Sequence, residues 1–109
     1  MLETVVVLCS CSDSEAARRI ANALVEQRLA AYVSILPGVE SVYRWQEKIE
    51  SASEALLLIK TTSGGFPALR EKILELHSYD TPEIIALPVV AGFEKYLRWM
   101  GEQVSSRDR

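Results

Sequence analysis

The chain has 109 residues, 49% of them hydrophobic and 25% charged, which suits one domain with one core and leaves too little chain for two. A formal charge of −3, with Lys and Arg scattered among Asp and Glu, excludes a general basic field, so nucleic acid is not an expected partner. No apolar run approaches the roughly 20 residues that a bilayer requires, and Met1-Leu2-Glu3 enters an apolar segment without a basic leader. The expectation is a soluble cytoplasmic protein with no membrane partner. The only cysteines, Cys9 and Cys11, are read as strand neighbours pointing to opposite faces and therefore unable to pair. Reduced thiols suit a cytosol.

In chain order, Thr4-Val5-Val6-Val7-Leu8-Cys9 is a β-branched apolar run, the pattern of a strand buried on both faces. Ser12-Asp13-Ser14-Glu15 reads as a capping box, and Ala17, Ile20, Ala21 and Leu24 then recur at helical spacing to about Arg28. Residues 31–45 read as one long strand with a bend at Pro37-Gly38, after which Val39, Ser41, Tyr43 and Trp45 share a face. The chain reverses around Gln46-Glu47-Lys48, and residues 49–61 return as the second arm of a hairpin. Ser63-Gly64-Gly65 breaks the strand, Pro67 suits a first helical turn, and Phe66, Leu69, Ile73 and Leu76 mark a helix to about His77. Residues 83–90 read as a fourth strand, with Pro88 indicating an edge or a bulge. Phe93, Tyr96, Leu97, Met100 and Val104 mark a third helix, followed by a polar tail, Ser105 to Arg109, expected to be disordered. The order βαββαβ plus a C-terminal helix is the ferredoxin-like split βαβ arrangement of the α+β class, one domain over residues 1–109. Its antiparallel sheet carries the helices on one face, and a long hairpin protrudes.

Fifteen residues of nearly continuous strand, 31–45, would extend about 50 Å, whereas a domain of this size has a radius of gyration of about 13 Å. The far half of the hairpin must then project with unpaired edges and with Tyr43 and Trp45 on one face. Soluble proteins cover such surfaces, and a further copy of the chain is the natural cover.

Two sets of residues could carry chemistry. Cys9 closes the first strand and His77, the only histidine, closes the second helix; a thiolate with an imidazole suits copper or zinc, and Cys11, Asp13 or a neighbouring subunit could complete the shell. Against this, a strand cysteine is commonly a small buried hydrophobe, a helix C-terminus favours histidine, and two ligands fall short of the four usual for zinc. Tyr43, Trp45, Glu54, Lys60, Tyr79, Asp80 and Glu83 form the second set, near strand ends, and could line a cleft between subunits. Glu54 and Lys60 share strand parity with Leu56 and Leu58, flanking an apolar stripe. The plainer reading of this set is a solvated rim of weak ion pairs. No phosphate-cradling loop, Gly-x-Ser-x-Gly or paired histidine motif is present, so an enzyme is not expected.

Three stretches resemble the CutA, or divalent-cation tolerance, family: residues 5–9 (VVVLC), 29–45 (LAAYVSILPGVESVYRW) and 76–88 (LHSYDTPEIIALP). The segments at 57–61 and 96–99 fit as well. The resemblance implies a homotrimer with interlocking hairpins, a role in tolerance of divalent metals, and copper binding, with Cys9 at the family's metal-linked cysteine position and His77 in its His-Pro-Tyr motif. Departures fall at Tyr32, where a cysteine is frequent, at Ser78, which replaces the proline of that motif, and at Leu76, where some copper-binding members have a second histidine. A signalling or scaffolding trimer that binds a small molecule or a protein at the intersubunit cleft is the alternative.

Overall fold

In the computed structural model of the chain, residues 3–105 are described, and the expected tail beyond Ser105 lies outside them. Seven elements follow the expected order: β1 (Thr4–Cys11), α1 (Ser14–Glu26), β2 (Tyr32–Trp45), β3 (Lys48–Thr62), α2 (Phe66–Leu76), β4 (Ile85–Pro88) and α3 (Glu94–Gln103). The four strands form one antiparallel sheet in the order β2-β3-β1-β4. Because β3 lies between β1 and β2, the connection through α1 spans a neighbouring strand, which defines the ferredoxin-like split βαβ.

The local signals act largely where the residues place them. Asp13, not Ser12, is the N-cap of α1, its carboxylate accepting the Ala16 N–H at 2.8 Å. Ala17, Ile20, Ala21 and Leu24 form the buried stripe of α1, and Leu69 and Ile73 that of α2. Both stripes meet the face of the sheet carrying Val5, Val7, Cys9 and Cys11 of β1 and Ala55, Leu57 and Ile59 of β3, which together form the main core. Full burial of a side chain such as Leu57 stabilises the fold by about 1.5–3 kcal/mol. A second, smaller cluster of Ala31, Met100 and Val104 holds α3 to the chain entering β2. Ser105 continues this attachment, its N–H donating to the Arg28 carbonyl at 2.7 Å.

Several expectations change. β1 is buried on one face only: Val5, Val7, Cys9 and Cys11 are enclosed, whereas Thr4, Val6, Leu8 and Ser10 are half-buried. The strand runs to Cys11, and side chains two apart on a strand share a face, so the two cysteines point into the same core and not to opposite sides. β4 is shorter than 83–90, because only Ile85–Pro88 find partners, on Val5–Leu8 of β1. Pro88 does sit on an edge strand.

The hairpin is long, as expected. β2 and β3 pair from Tyr32↔Lys60 to Trp45↔Lys48, and the molecule measures 45 × 27 × 22 Å. A bulge at Pro37-Gly38 inserts one residue between Leu36↔Leu56 and Val39↔Glu54, with Gly38 at φ +68°. That extra residue resets parity. Tyr32, Ser34 and Leu36 before it and Val39, Ser41, Tyr43 and Trp45 after it therefore share the face opposite the helices. Gln46 and Glu47 close the hairpin as a two-residue turn, both at positive φ.

Candidate functional site

Ser10 lies between the two cysteines, and β1 consequently presents different chemistry on its two faces. On the core face, Cys9 Sγ, Cys11 Sγ and a ring nitrogen of His77 all lie within 4.8 Å of one another. Both cysteines are free and fully buried. A hydrogen bond between the two thiols holds the pKa of Cys9 above and that of Cys11 below the ordinary thiol value, while burial pushes both upward. Cys11 is thus the sulfur readier to become a thiolate. His77 stands just past the end of α2, its backbone N–H donating to the Ile73 carbonyl at 2.8 Å. Its Nδ1 accepts the Tyr79 N–H at 3.1 Å, so in the neutral ring the proton sits on Nε2 and donates to the Ser10 carbonyl at 2.7 Å.

Cys9 and His77 do meet, and of the residues the sequence offered to complete the shell the structure adds Cys11. Two thiols and an imidazole are donors that suit Cu(I) or Zn(II), and three ligands leave a position open. The donor set therefore fits a metal ion, with one condition. Ligation through Nε2 exchanges the Ser10 carbonyl for the ion and moves the ring proton to Nδ1, which then gives up the Tyr79 N–H. Asp13 does not join the set, since its carboxylate caps α1.

On the opposite face, Tyr43, Trp45, Glu54, Tyr79 and Glu83, which the sequence placed in a cleft between subunits, line a cleft of about 640 Å³ within the single chain. Asp80, Ser10, Ser41 and Thr81 complete its wall. Ser41 was legible from its parity with Tyr43 and Trp45; Ser10 and Thr81 carried no signal of their own. The Tyr79 hydroxyl donates to Glu54 Oε2 at 2.6 Å, and Ser10 Oγ donates to Glu83 Oε1 at 2.7 Å. Partial burial, then the Glu54 carboxylate, raises the Tyr79 pKa, so the phenol remains a donor. Lys60 is the exception. It shares the face of Glu54 but lies six residues, about 20 Å, along β3, where its ammonium meets Ser34 Oγ at 3.1 Å and the Tyr32 ring at 4.9 Å.

Fold and site together define a ferredoxin-like α+β protein with a buried two-thiol, one-imidazole cluster backed by an open cleft. The family model described as CutA1 divalent ion tolerance protein matches residues 5–103, and the chain belongs to this family. It is 52% identical over 97 residues to the divalent-cation tolerance protein CutA of Thermus thermophilus, covering 89% of this chain and 94% of that protein. It is 45% identical over 97 residues to the chloroplastic protein CutA of Arabidopsis thaliana, covering 89% of this chain and 53% of that longer protein. The crystal structure of CutA1 from Oryza sativa superposes with a TM-score of 0.94 at 40% identity, covering 96% of each chain.

Proposed function

We propose that the chain is a divalent-metal tolerance or response protein that binds copper or another divalent cation as a homotrimer, with Cys9, Cys11 and His77 as ligands. The observation that carries this reading is the meeting of all three soft donors within 4.8 Å, in a family named for tolerance of divalent ions. A thiolate pair favours copper in its reduced state, while zinc is served by the same donors. In this reading the chain sequesters or senses the ion and catalyses no reaction. Free buried thiols suit a reducing compartment, and the reading assigns the chain to the cytoplasm. No helix among the described residues is long and apolar enough to cross a membrane.

The trimer is supported by the sheet face left without helices. Leu36, Ile85 and Leu87 are 40%, 47% and 46% exposed there, beside half-buried Val6, Leu8, Leu56 and Leu58. A continuous apolar face crossed by a projecting hairpin calls for a cover, and further copies of the chain supply one.

The test is a calorimetric titration of the reduced protein with Cu(I), Cu(II) and Zn(II), with molar mass fixed by light scattering. Saturable binding with Kd below about 1 μM, corresponding to more than about 8 kcal/mol, is expected for at least one ion. It should be lost in Cys9→Ala and at least tenfold weaker in His77→Ala. Unchanged affinity in both variants would refute the site.

A second reading has its own observation, the cleft on the other face of β1. Its volume lies within the range of small-molecule sites. Here the trimer is a signalling or scaffolding module, and the cleft holds a small organic ligand or a short segment of a partner.

A further inference from the structure

We infer that ligation on the core face of β1 is transmitted to the other face of that strand, and that the joint is the Tyr79 N–H held by the His77 ring. The inference rests on the reading above that His77 is a metal ligand, and adds what ligation does to the rest of the chain. Nδ1 accepts the Tyr79 N–H at 3.1 Å, and Nε2 faces the Ser10 carbonyl at 2.7 Å. A neutral imidazole has one nitrogen that accepts and one that carries the proton. When Nε2 ligates, the proton sits on Nδ1; when Nδ1 ligates, its lone pair is already committed. In both cases the Tyr79 N–H loses its acceptor, so its release does not depend on which nitrogen is used.

What hangs on that bond is one wall of the cleft. Residues 77–84 connect α2 to β4, and Tyr79, Asp80, Thr81 and Glu83 of this segment belong to the lining. Among the described residues, none of 78–83 makes a backbone-to-backbone hydrogen bond, so side chains fix the segment instead. Glu83 Oε1 accepts from Ser10 Oγ at 2.7 Å, and the Tyr79 hydroxyl donates to Glu54 Oε2 at 2.6 Å. Both tethers end on residues that ligation disturbs. Ser10 lies between the two cysteines and presents its carbonyl to Nε2, while Tyr79 surrenders its N–H contact to Nδ1. The His77 and Tyr79 rings also stand 4.7 Å apart, so a turn of the imidazole toward the thiols shifts the surface against which Tyr79 rests. The segment therefore has two arrangements, one hooked to the imidazole and one released from it. Coupling between two sites is reciprocal, so a change that weakens the Tyr79 tether must tighten ligation at His77.

The experiment uses the whole reduced protein and Zn(II), which brings no redox chemistry of its own. Amide hydrogen exchange is followed residue by residue by NMR with and without saturating zinc. A bound ligand ordinarily stabilises the native state and slows exchange. Here the Tyr79 amide is expected to exchange at least fivefold faster with zinc bound, against the trend of β1. Zinc affinity is then measured by competition with a chromophoric chelator in Tyr79→Phe, which keeps the backbone N–H and removes the tether to Glu54. Tyr79 is 37% exposed, so the variant retains its fold. Its affinity should rise at least threefold, and the same substitution should change nothing in a His77→Ala background. A Tyr79 amide that is slowed or unchanged while zinc binds would overturn the coupling and leave the metal site standing, as would an unchanged or lower affinity in Tyr79→Phe. An equal rise in the His77→Ala background would place the effect outside the imidazole and also overturn it. Absence of zinc binding would overturn the coupling together with the metal reading.

Discussion

At the scale of single residues, the two faces of β1 meet at Ser10, whose carbonyl accepts the His77 Nε2–H while its hydroxyl donates to Glu83 in the cleft. His77 and Tyr79 are similarly linked, by a backbone hydrogen bond and by rings 4.7 Å apart. The pairing of Cys9 with His77 was legible from the βαββαβ order, which returns the end of α2 toward the end of β1. Cys11 was misjudged because its two-residue offset was taken to reverse its direction, whereas that offset preserves it. The His77 tautomer was not legible at all, since it depends on two backbone partners distant from each other in sequence. Tyr79 gives a prediction with a definite sign. A phenol whose pKa is raised in the folded state stabilises the fold fully below its ordinary value near 10, and that contribution is lost as pH rises from there through the folded value. Denaturant unfolding at pH 8 and above pH 10 should show the wild type losing more stability over this interval than Tyr79→Phe. An equal loss in the two proteins would exclude the Tyr79–Glu54 bond as its source.

At the scale of elements, the helices and long strands followed from periodicity, because the apolar positions of α1, α2 and β3 repeat at the spacing of the structure they form. The end residues did not, since β4 stops where β1 stops offering partners and the cap of α1 was settled by which side chain reaches Ala16. Lys60 shows the limit of parity: it identifies the shared face but not the distance along it. The bulge at Pro37-Gly38 decides which side chains of β2 reach the cleft. At Gly38 an added Cβ would meet nothing within 4 Å, so Gly38→Ala isolates the backbone strain of φ +68°. It should cost about 1–2 kcal/mol in equilibrium unfolding. Asp13→Ala, which removes the α1 cap, should cost about 1 kcal/mol by the same measurement. A loss in Gly38→Ala far above that range would mean that the bulge itself rearranges.

At the scale of the whole molecule, an extent of 45 Å and a radius of gyration of 14.4 Å reflect an arm projecting from a small sandwich. The length of the hairpin was legible in the sequence, and so was the need to cover it. The proposed cover, further copies of the chain, is tested at the apolar sheet face. Leu58→Glu, which puts a charge in the middle of that face, should convert a species of three chain masses into monomers by light scattering. A trimer unaffected by this charge would place the contact elsewhere. The central claim, that metal is held by the donors on the core face of β1, is tested most directly by X-ray absorption on the zinc-loaded protein. The account predicts two sulfur neighbours at about 2.3 Å and at least one imidazole nitrogen at about 2.0 Å, with one sulfur lost in either Cys9→Ala or Cys11→Ala. A shell of oxygen and nitrogen alone, unchanged in both variants, would contradict it.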